Sequence, residues 1–155
     1  MKKIFIMVAL ALALVSCQPV GEEKKMEKYF FENEGVRIYV GDDASTITQS
    51  LGEPNKISRA PSCAGVGEDI IYIYSGFRLL AYSEKGEETV CAVELTNDAV
   101  STPEGIRLGD SAETVVKVYG VPSLRENDLI EYECGGVKLR FALSKGTVKL
   151  IKYLL

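Results

Sequence analysis

Apolar and polar residues follow two periods along the chain, and each period occurs twice. Before residues 52 and 120, apolar side chains fall on one face of a short helical pattern. After each helical pattern come short runs of apolar, β-branched and aromatic residues separated by turns, which is typical of strands. These runs are residues 70–74, 77–82 and 90–95, and then 129–134, 137–142 and 148–153. The pattern predicts a short helix followed by an antiparallel meander, twice over.

Three motifs recur in the same order, which indicates an internal repeat. They are Glu-Gly-x-Arg, Gly-Asp and Gly-x-Pro, which start at Glu34, Gly41 and Gly52 and again at Glu104, Gly109 and Gly120. The aspartate of Gly-Asp is placed to cap the helix that follows, although a cation or phosphate site is the alternative. We therefore expect an α+β fold with two tandem units, 34–98 and 104–155. Each unit is expected to be a short helix packed on a three- to four-stranded antiparallel sheet.

Positions that are apolar in both predicted units should face the core, and the positions between them should face away from the helix. The predicted core pairs include Ile71 with Ile130 and Ile73 with Tyr132. The opposite, open face carries tyrosine and arginine, residue types that are enriched where binding energy concentrates. The candidate partner-binding residues are Tyr72, Tyr74, Arg78, Leu80, Tyr82 and Arg140, with Lys152 at the rim. The alternatives are that tyrosine simply favours strands, or that another segment covers this face.

The N-terminus has the pattern of an export signal. Two lysines precede an apolar run over residues 4–15, which is too short to span a bilayer, and a small residue follows before Cys17. The sequence Leu-Val-Ser-Cys at 14–17 also resembles the lipobox of bacterial lipoproteins. That resemblance implies a signal peptide over 1–16, a lipid on Cys17, a tether over 17–33, and attachment to the cell membrane on its extracytoplasmic side. The alternative is an ordinary signal in which the cysteine is incidental.

Composition argues against several classes of function. The chain has 18 basic and 22 acidic side chains, so it lacks the basic character of a nucleic-acid-binding protein. It has no histidine, the commonest general base and metal ligand, so we expect neither an enzyme, nor a metal site, nor a cofactor. Beyond Cys17 the cysteines are odd in number, at 63, 91 and 134. A bridge between Cys63 and Cys91 and a fully reduced set both remain open.

The order of the repeated motifs resembles known proteins. A strand, a Gly-Asp motif, a helix ending in Gly-x-Pro and a meander, all present twice, look like the β-lactamase inhibitor protein fold. The unit present once resembles envelope lipoproteins of the BamE (SmpA/OmlA) type. The segments 62–64, 72–77 and 102–111 are similar to uncharacterised Gram-positive lipoproteins. The inhibitor resemblance implies a helix-backed sheet whose open face grips another protein.

These inferences converge on one hypothesis. The chain is expected to be a membrane-tethered, non-enzymatic module that binds a protein or peptide through its open sheet face. Two alternatives belong to other classes of function. One is a binder of a small molecule or glycan between the two repeats, and the other is a structural lipoprotein of the envelope.

Overall fold

A computed structural model describes residues 28–63 and 65–155. The predicted signal peptide, the lipid site at Cys17 and the tether up to residue 27 lie outside the described residues. The described secondary structure comprises ten strands and two helices. In chain order these are β1 (Phe31–Asn33), β2 (Val36–Ile38), α1 (Ala44–Leu51), β3 (Lys56–Pro61), β4 (Glu68–Ile73), β5 (Phe77–Glu84), β6 (Glu87–Leu95), α2 (Ala112–Tyr119), β7 (Leu124–Glu126), β8 (Leu129–Cys134), β9 (Val137–Ser144) and β10 (Thr147–Leu154).

Eight of the strands form one antiparallel sheet in the order β3-β4-β5-β6-β10-β9-β8-β7. Its centre is the pairing of β6 with β10, in which Leu95 lies opposite Ile151 and Val93 lies opposite Tyr153. The predicted α+β fold with two tandem helix-on-sheet units is therefore wrong. The described fold is mostly β, with one continuous eight-stranded sheet, a two-stranded sheet of β1 and β2, and only two short helices.

The strands at the two edges of the sheet were missed by the sequence pattern. All six residues of β3 and all three residues of β7 are exposed. Neither strand therefore has the alternation of buried and exposed positions by which a half-buried strand is recognised. Pairing with β4 and β8, rather than burial of an apolar face, defines these strands.

Helix α2 is capped by Ser111, one residue later than the Gly-Asp motif predicts. At α2 the Oγ of Ser111 accepts a hydrogen bond from the backbone N–H of Thr114 at 3.2 Å. Asp110 instead accepts a hydrogen bond from the backbone N–H of Arg107 at 2.8 Å, closing the turn before the helix. The predicted helix stop is confirmed, because Gly120 has a φ of 79° and its N–H donates to the carbonyl of Val116.

The core lies between one face of the sheet and a second layer formed by the two helices, the β1–β2 hairpin and neighbouring loops. Both helices contribute an alanine and one larger aliphatic residue to a single apolar cluster with the sheet. Phe31, which the sequence prediction assigned to the tether, is fully buried in this cluster, 4.9 Å from Phe77 between ring centroids. The folded layer consequently includes residues that precede position 34.

Three tyrosines, one buried and two partly buried, lie on the helix-covered side, and one of them anchors the loop before α2. The hydroxyl of Tyr119 donates a hydrogen bond to the carboxylate of Glu104, and Oγ1 of Thr102 lies 2.8 Å from the same hydroxyl oxygen. The Tyr153 hydroxyl is buried and has no hydrogen-bond partner among the described residues. Burial raises the pKa of Tyr119 and of Tyr153, and raises that of Tyr29 to about 12. Each of these side chains belongs to the helix-covered side of the sheet.

Candidate functional site on the open face of the sheet

The strand register identifies the residues that share the face turned away from the helices. Residues directly opposite each other on paired strands point to the same side of a sheet. Following the partners from β5 to β8 gives a continuous row across five adjacent strands. This charged row consists of Arg78, Glu94, Lys152, Arg140 and Glu131.

A second row lies beside the charged row on the same face. This apolar row consists of Ile71, Leu80, Ala92 and Leu154, which are successive partners on β4, β5, β6 and β10. None of these four residues belongs to the core cluster or packs against it, and three of them are partly exposed. Since the described helices and hairpin contribute to the cluster on the other side, the two rows form an open face.

The acidic side chains of the charged row are more deeply buried than the basic ones. Glu131 is buried, and its Oε2 accepts hydrogen bonds from Nε and Nη2 of Arg140 at 2.9 and 2.7 Å. The guanidinium of Arg78 donates to Glu94, and Nζ of Lys152 lies 3.9 Å from the same carboxylate. The Glu131 and Glu94 side chains are 9% and 12% exposed, against 36% for Arg140 and 41% for Arg78. The cations are therefore the outer groups.

Two of the predicted partner-binding tyrosines lie on the opposite face. Tyr72 is 5% exposed and belongs to the core cluster, and Tyr74 stacks on the ring of Phe77 at 4.9 Å between centroids. The sequence-based alignment of β4 with β8 was wrong by one residue. Ile70, not Ile71, is the equivalent of Ile130, since Ile70 pairs with Ala81 as Ile130 pairs with Phe141. A shift of one residue moves every side chain of a strand to the other face.

The remaining predicted site residues do lie on the open face. Arg78 and Arg140 belong to the charged row and Leu80 to the apolar row, while Lys152 lies at the centre of the charged row rather than at a rim. Tyr82 faces the same side near the edge, and its hydroxyl donates to the carbonyl of Val66 at 2.8 Å.

The loop beyond β3 packs closely against Tyr82. A Cβ at Gly67 would lie 2.3 Å from the carbonyl oxygen of Ser83 and 2.9 Å from the Tyr82 ring, so only glycine fits there. This packing limits the part that Tyr82 can play in contacting a partner.

The two halves of the open face differ in chemistry at equivalent positions. Ile71 in the first half corresponds to Glu131, and Leu80 corresponds to Arg140, because each pair is directly opposed in its own half of the sheet. Ile73 likewise corresponds to Glu133. At these three pairs of positions the first half is apolar and the second half is charged. Sequence reasoning expected this contrast but assigned the apolar part to tyrosines.

A groove on the helix-covered side provides a different kind of site. It has a volume of about 310 Å³, is open to solvent and lies between the end of α1 and the start of β3. It is lined by Thr48, Gln49, Gly52, Glu53, Pro54, Ile57 and Tyr72. Burial raises the pKa of Tyr72 to about 12, and its hydroxyl donates to Glu88. The groove lies within the first half of the fold, not between the halves, where the small-molecule alternative placed its site.

The described residues form neither the suggested bridge between Cys63 and Cys91 nor a metal-binding cluster. Cys63 and Cys91 are both exposed and are free thiols in this structure, so the suggested bridge between them is not formed in it. Within residues 28–63 and 65–155, no three His, Cys, Asp or Glu side chains cluster so that they could hold a metal ion. In the same ranges no helix has the length and apolar character needed to cross a membrane.

Comparison with known proteins gives similarities to solved structures alone. No protein-family model and no curated protein matches the chain. An extracellular protein containing an SCP domain from Bacillus anthracis matches with a TM-score of 0.46 and 17% identity over 84% of this chain and 49% of that one. A cysteine-rich secretory protein from Staphylococcus aureus matches with a TM-score of 0.42 and 14% identity over 83% and 48%, respectively. The chain spans about half the length of these two proteins.

The strand order corrects the resemblance to tandem β-lactamase inhibitor and BamE-type lipoproteins. The paired strands β6 and β10 join the two sets of motifs into one sheet, which two separate helix-on-sheet units would not have. The recurring glycines and caps mark turns and helix ends in a fold built on one large sheet, and they do not identify either of those families.

Proposed function

We propose that this protein is a non-enzymatic, extracytoplasmic module that binds a protein partner through the open face of its sheet. One observation carries the proposal. A row of aliphatic side chains lies outside the core cluster and next to a row of charged side chains, on a face to which no described helix contributes. Exposed apolar groups bordered by polar ones are typical of protein interaction sites.

The cellular location in this proposal rests on the N-terminal residues. The apolar run over 4–15 followed by Cys17 supports export and lipid attachment. Mass spectrometry of the mature protein should find a lipid on Cys17 and no residue before it. The Cys17→Ala protein should leave the membrane fraction. An unmodified Cys17 in membrane-bound protein would contradict the anchoring.

The binding surface is tested by placing a photoreactive amino acid at single positions in the full-length protein in its native cells. Leu80 and Leu154 lie on the open face, whereas Val118 is an exposed residue of α2 on the other side. We expect the same covalent adduct from Leu80 and Leu154, its loss when excess unmodified protein competes, and no such adduct from Val118. Equal adducts from all three positions, or none from the open face, would refute the proposed surface.

A further inference from the structure

Two like charges face each other at the centre of the open face. Lys152 on β10 lies directly opposite Arg140 on β9, an arrangement that normally destabilises a sheet. Arg140 is held by two hydrogen bonds to Glu131. The described anion nearest to the Lys152 ammonium is Glu94 at 3.9 Å, and Arg78 already donates a hydrogen bond to that carboxylate. The positive charge of Lys152 is therefore only weakly compensated.

A further cation extends this positive region. Lys138 lies on the same face of β9, two residues from Arg140 and directly opposite Leu154 of the apolar row. It forms no ion pair among the described residues, although Glu133 is its partner on β8. The apolar row ends at Leu154, and three cations lie next to this end: Lys138, Arg140 and Lys152.

The two rows have a net charge of opposite sign to that of the chain. The whole chain carries 18 basic and 22 acidic side chains. The two rows, extended to Lys138 and Glu133, carry four basic and three acidic side chains, and two of those carboxylates are at most 12% exposed. A partner that approaches the two rows therefore meets cations and aliphatic groups first.

We infer that the partner is an acidic, amphipathic protein segment, with carboxylates on the Lys138, Arg140 and Lys152 side chains and aliphatic side chains on the apolar row. This inference rests on the proposed function and specifies its partner. A carboxylate placed between Lys152 and Arg140 would offset their repulsion and accept charge-assisted hydrogen bonds from both. The apolar row lies directly beside the cations, so a segment that carries both kinds of group fits better than a purely anionic ligand.

The experiment selects peptides on the full-length protein. A displayed random library of peptides of about 12 residues is long enough to cross the five strands of the charged row, roughly 20 Å at a strand spacing of about 4.8 Å. Selection on the wild-type protein is followed by removal of peptides that also bind the Leu80→Gln variant. That variant disrupts the apolar row without adding a charge, so the removal step itself does not favour acidic or basic sequences.

The selected peptides should be rich in Asp and Glu interspersed with Leu, Ile or Val. A synthetic peptide of this kind should bind the Lys152→Glu variant at least about tenfold more weakly, and its affinity should fall as salt rises. The matched control is Lys117→Glu, the same change of charge on the exposed surface of α2, which should bind as the wild type does. Thermal unfolding of both variants confirms that they are folded, and Lys152→Gln replaces Lys152→Glu if the latter is not.

Each other outcome refutes a specific statement. If no peptide distinguishes the wild type from Leu80→Gln, the open face is not a binding surface and the proposed function fails. If peptides distinguish the wild type from Leu80→Gln but are not acidic, or bind Lys152→Glu as tightly as the wild type, the face binds proteins and the inference of an acidic partner is wrong. If polyglutamate without aliphatic residues binds equally well, the apolar contact is wrong. If vesicles containing anionic phosphatidylglycerol bind with the same loss in Lys152→Glu while peptides do not, the ligand is a lipid surface.

Discussion

On strand β9, Leu139 and Phe141 are fully buried under the helices, while Lys138 and Arg140 alternate with them on the other face and are partly exposed. Strand β5 shows the same contrast, with Phe77 and Leu79 inside and Arg78 and Leu80 outside. The inner face packs against the helices and the β1–β2 hairpin, so its side chains must fit a close-packed core. Within residues 28–63 and 65–155 no such layer covers the outer face, so its apolar residues are candidates for contact with another molecule.

The largest difference between the faces should appear when a large core residue is compared with its neighbour on β5. Phe77→Ala should lower the free energy of unfolding by about 3–5 kcal/mol, because it removes a fully buried ring and leaves a cavity. Leu80→Ala should lower it by about 1 kcal/mol or less, because Leu80 is already partly exposed. Urea unfolding of the two variants measures both values. Equal losses would mean that the outer face is packed as tightly as the core.

Tyr74 now belongs with the core in this comparison. Its ring stacks on Phe77 and its hydroxyl lies 3.4 Å from the carbonyl oxygen of Gly52, so Tyr74→Ala should lower the melting temperature clearly. The expected loss is about 1–3 kcal/mol, less than for Phe77 because Tyr74 is partly exposed. Tyr74→Phe should retain most of the stability and serves as the control. A Tyr74→Ala protein that melts like the wild type would return this residue to the list of surface candidates.

Glu131 is a buried residue on the outer face, so its contacts should contribute to stability as those of the inner face do. Arg140→Ala leaves Glu131 without the two hydrogen bonds that compensate its burial, so it should destabilise the fold by about 1–3 kcal/mol. The double variant Glu131→Leu, Arg140→Leu removes both charges and should recover much of that loss. Denaturant unfolding of the single and double variants gives the coupling energy. A double variant as unstable as Arg140→Ala would show that the two side chains do not act as a pair.

The difference between the two faces also explains which residues could be placed from the sequence. Strand β9 reads Val-Lys-Leu-Arg-Phe over 137–141, so its polar residues fix the orientation of the strand, and Arg140 lies on the face that the sequence predicts for it. Strand β4 reads Ile-Ile-Tyr-Ile over 70–73, with no polar residue to set the phase, and the prediction slipped by one position. The pairing of β6 with β10 joins distant segments, which a local pattern cannot reveal.

High pH should weaken the inner face selectively. Burial raises the pKa of Tyr29 and Tyr72 to about 12 from an ordinary value near 10. Between these values the folded protein keeps a proton that the unfolded chain has lost, so the contribution to stability is complete below about pH 10 and is lost towards pH 12. In Tyr72→Phe the free energy of unfolding should fall less steeply over this range than in the wild type, as measured by urea unfolding at fixed pH values. Parallel curves would mean that Tyr72 titrates normally.

The smallest effect is expected at Lys152, where stability and binding should separate. Its ammonium is attracted weakly by Glu94 at 3.9 Å and repelled by Arg140 directly opposite, so the two contributions nearly cancel. Lys152→Met, which keeps an unbranched chain of similar length, should change the free energy of unfolding by only about a few tenths of a kcal/mol. Because the repulsion is screened by salt, any stabilisation of the variant should be larger at low than at high ionic strength. A loss of more than about 1 kcal/mol would show that Lys152 mainly holds the sheet together. The cation would then be a structural part of the charged row, and the outer face would not be kept free for a partner.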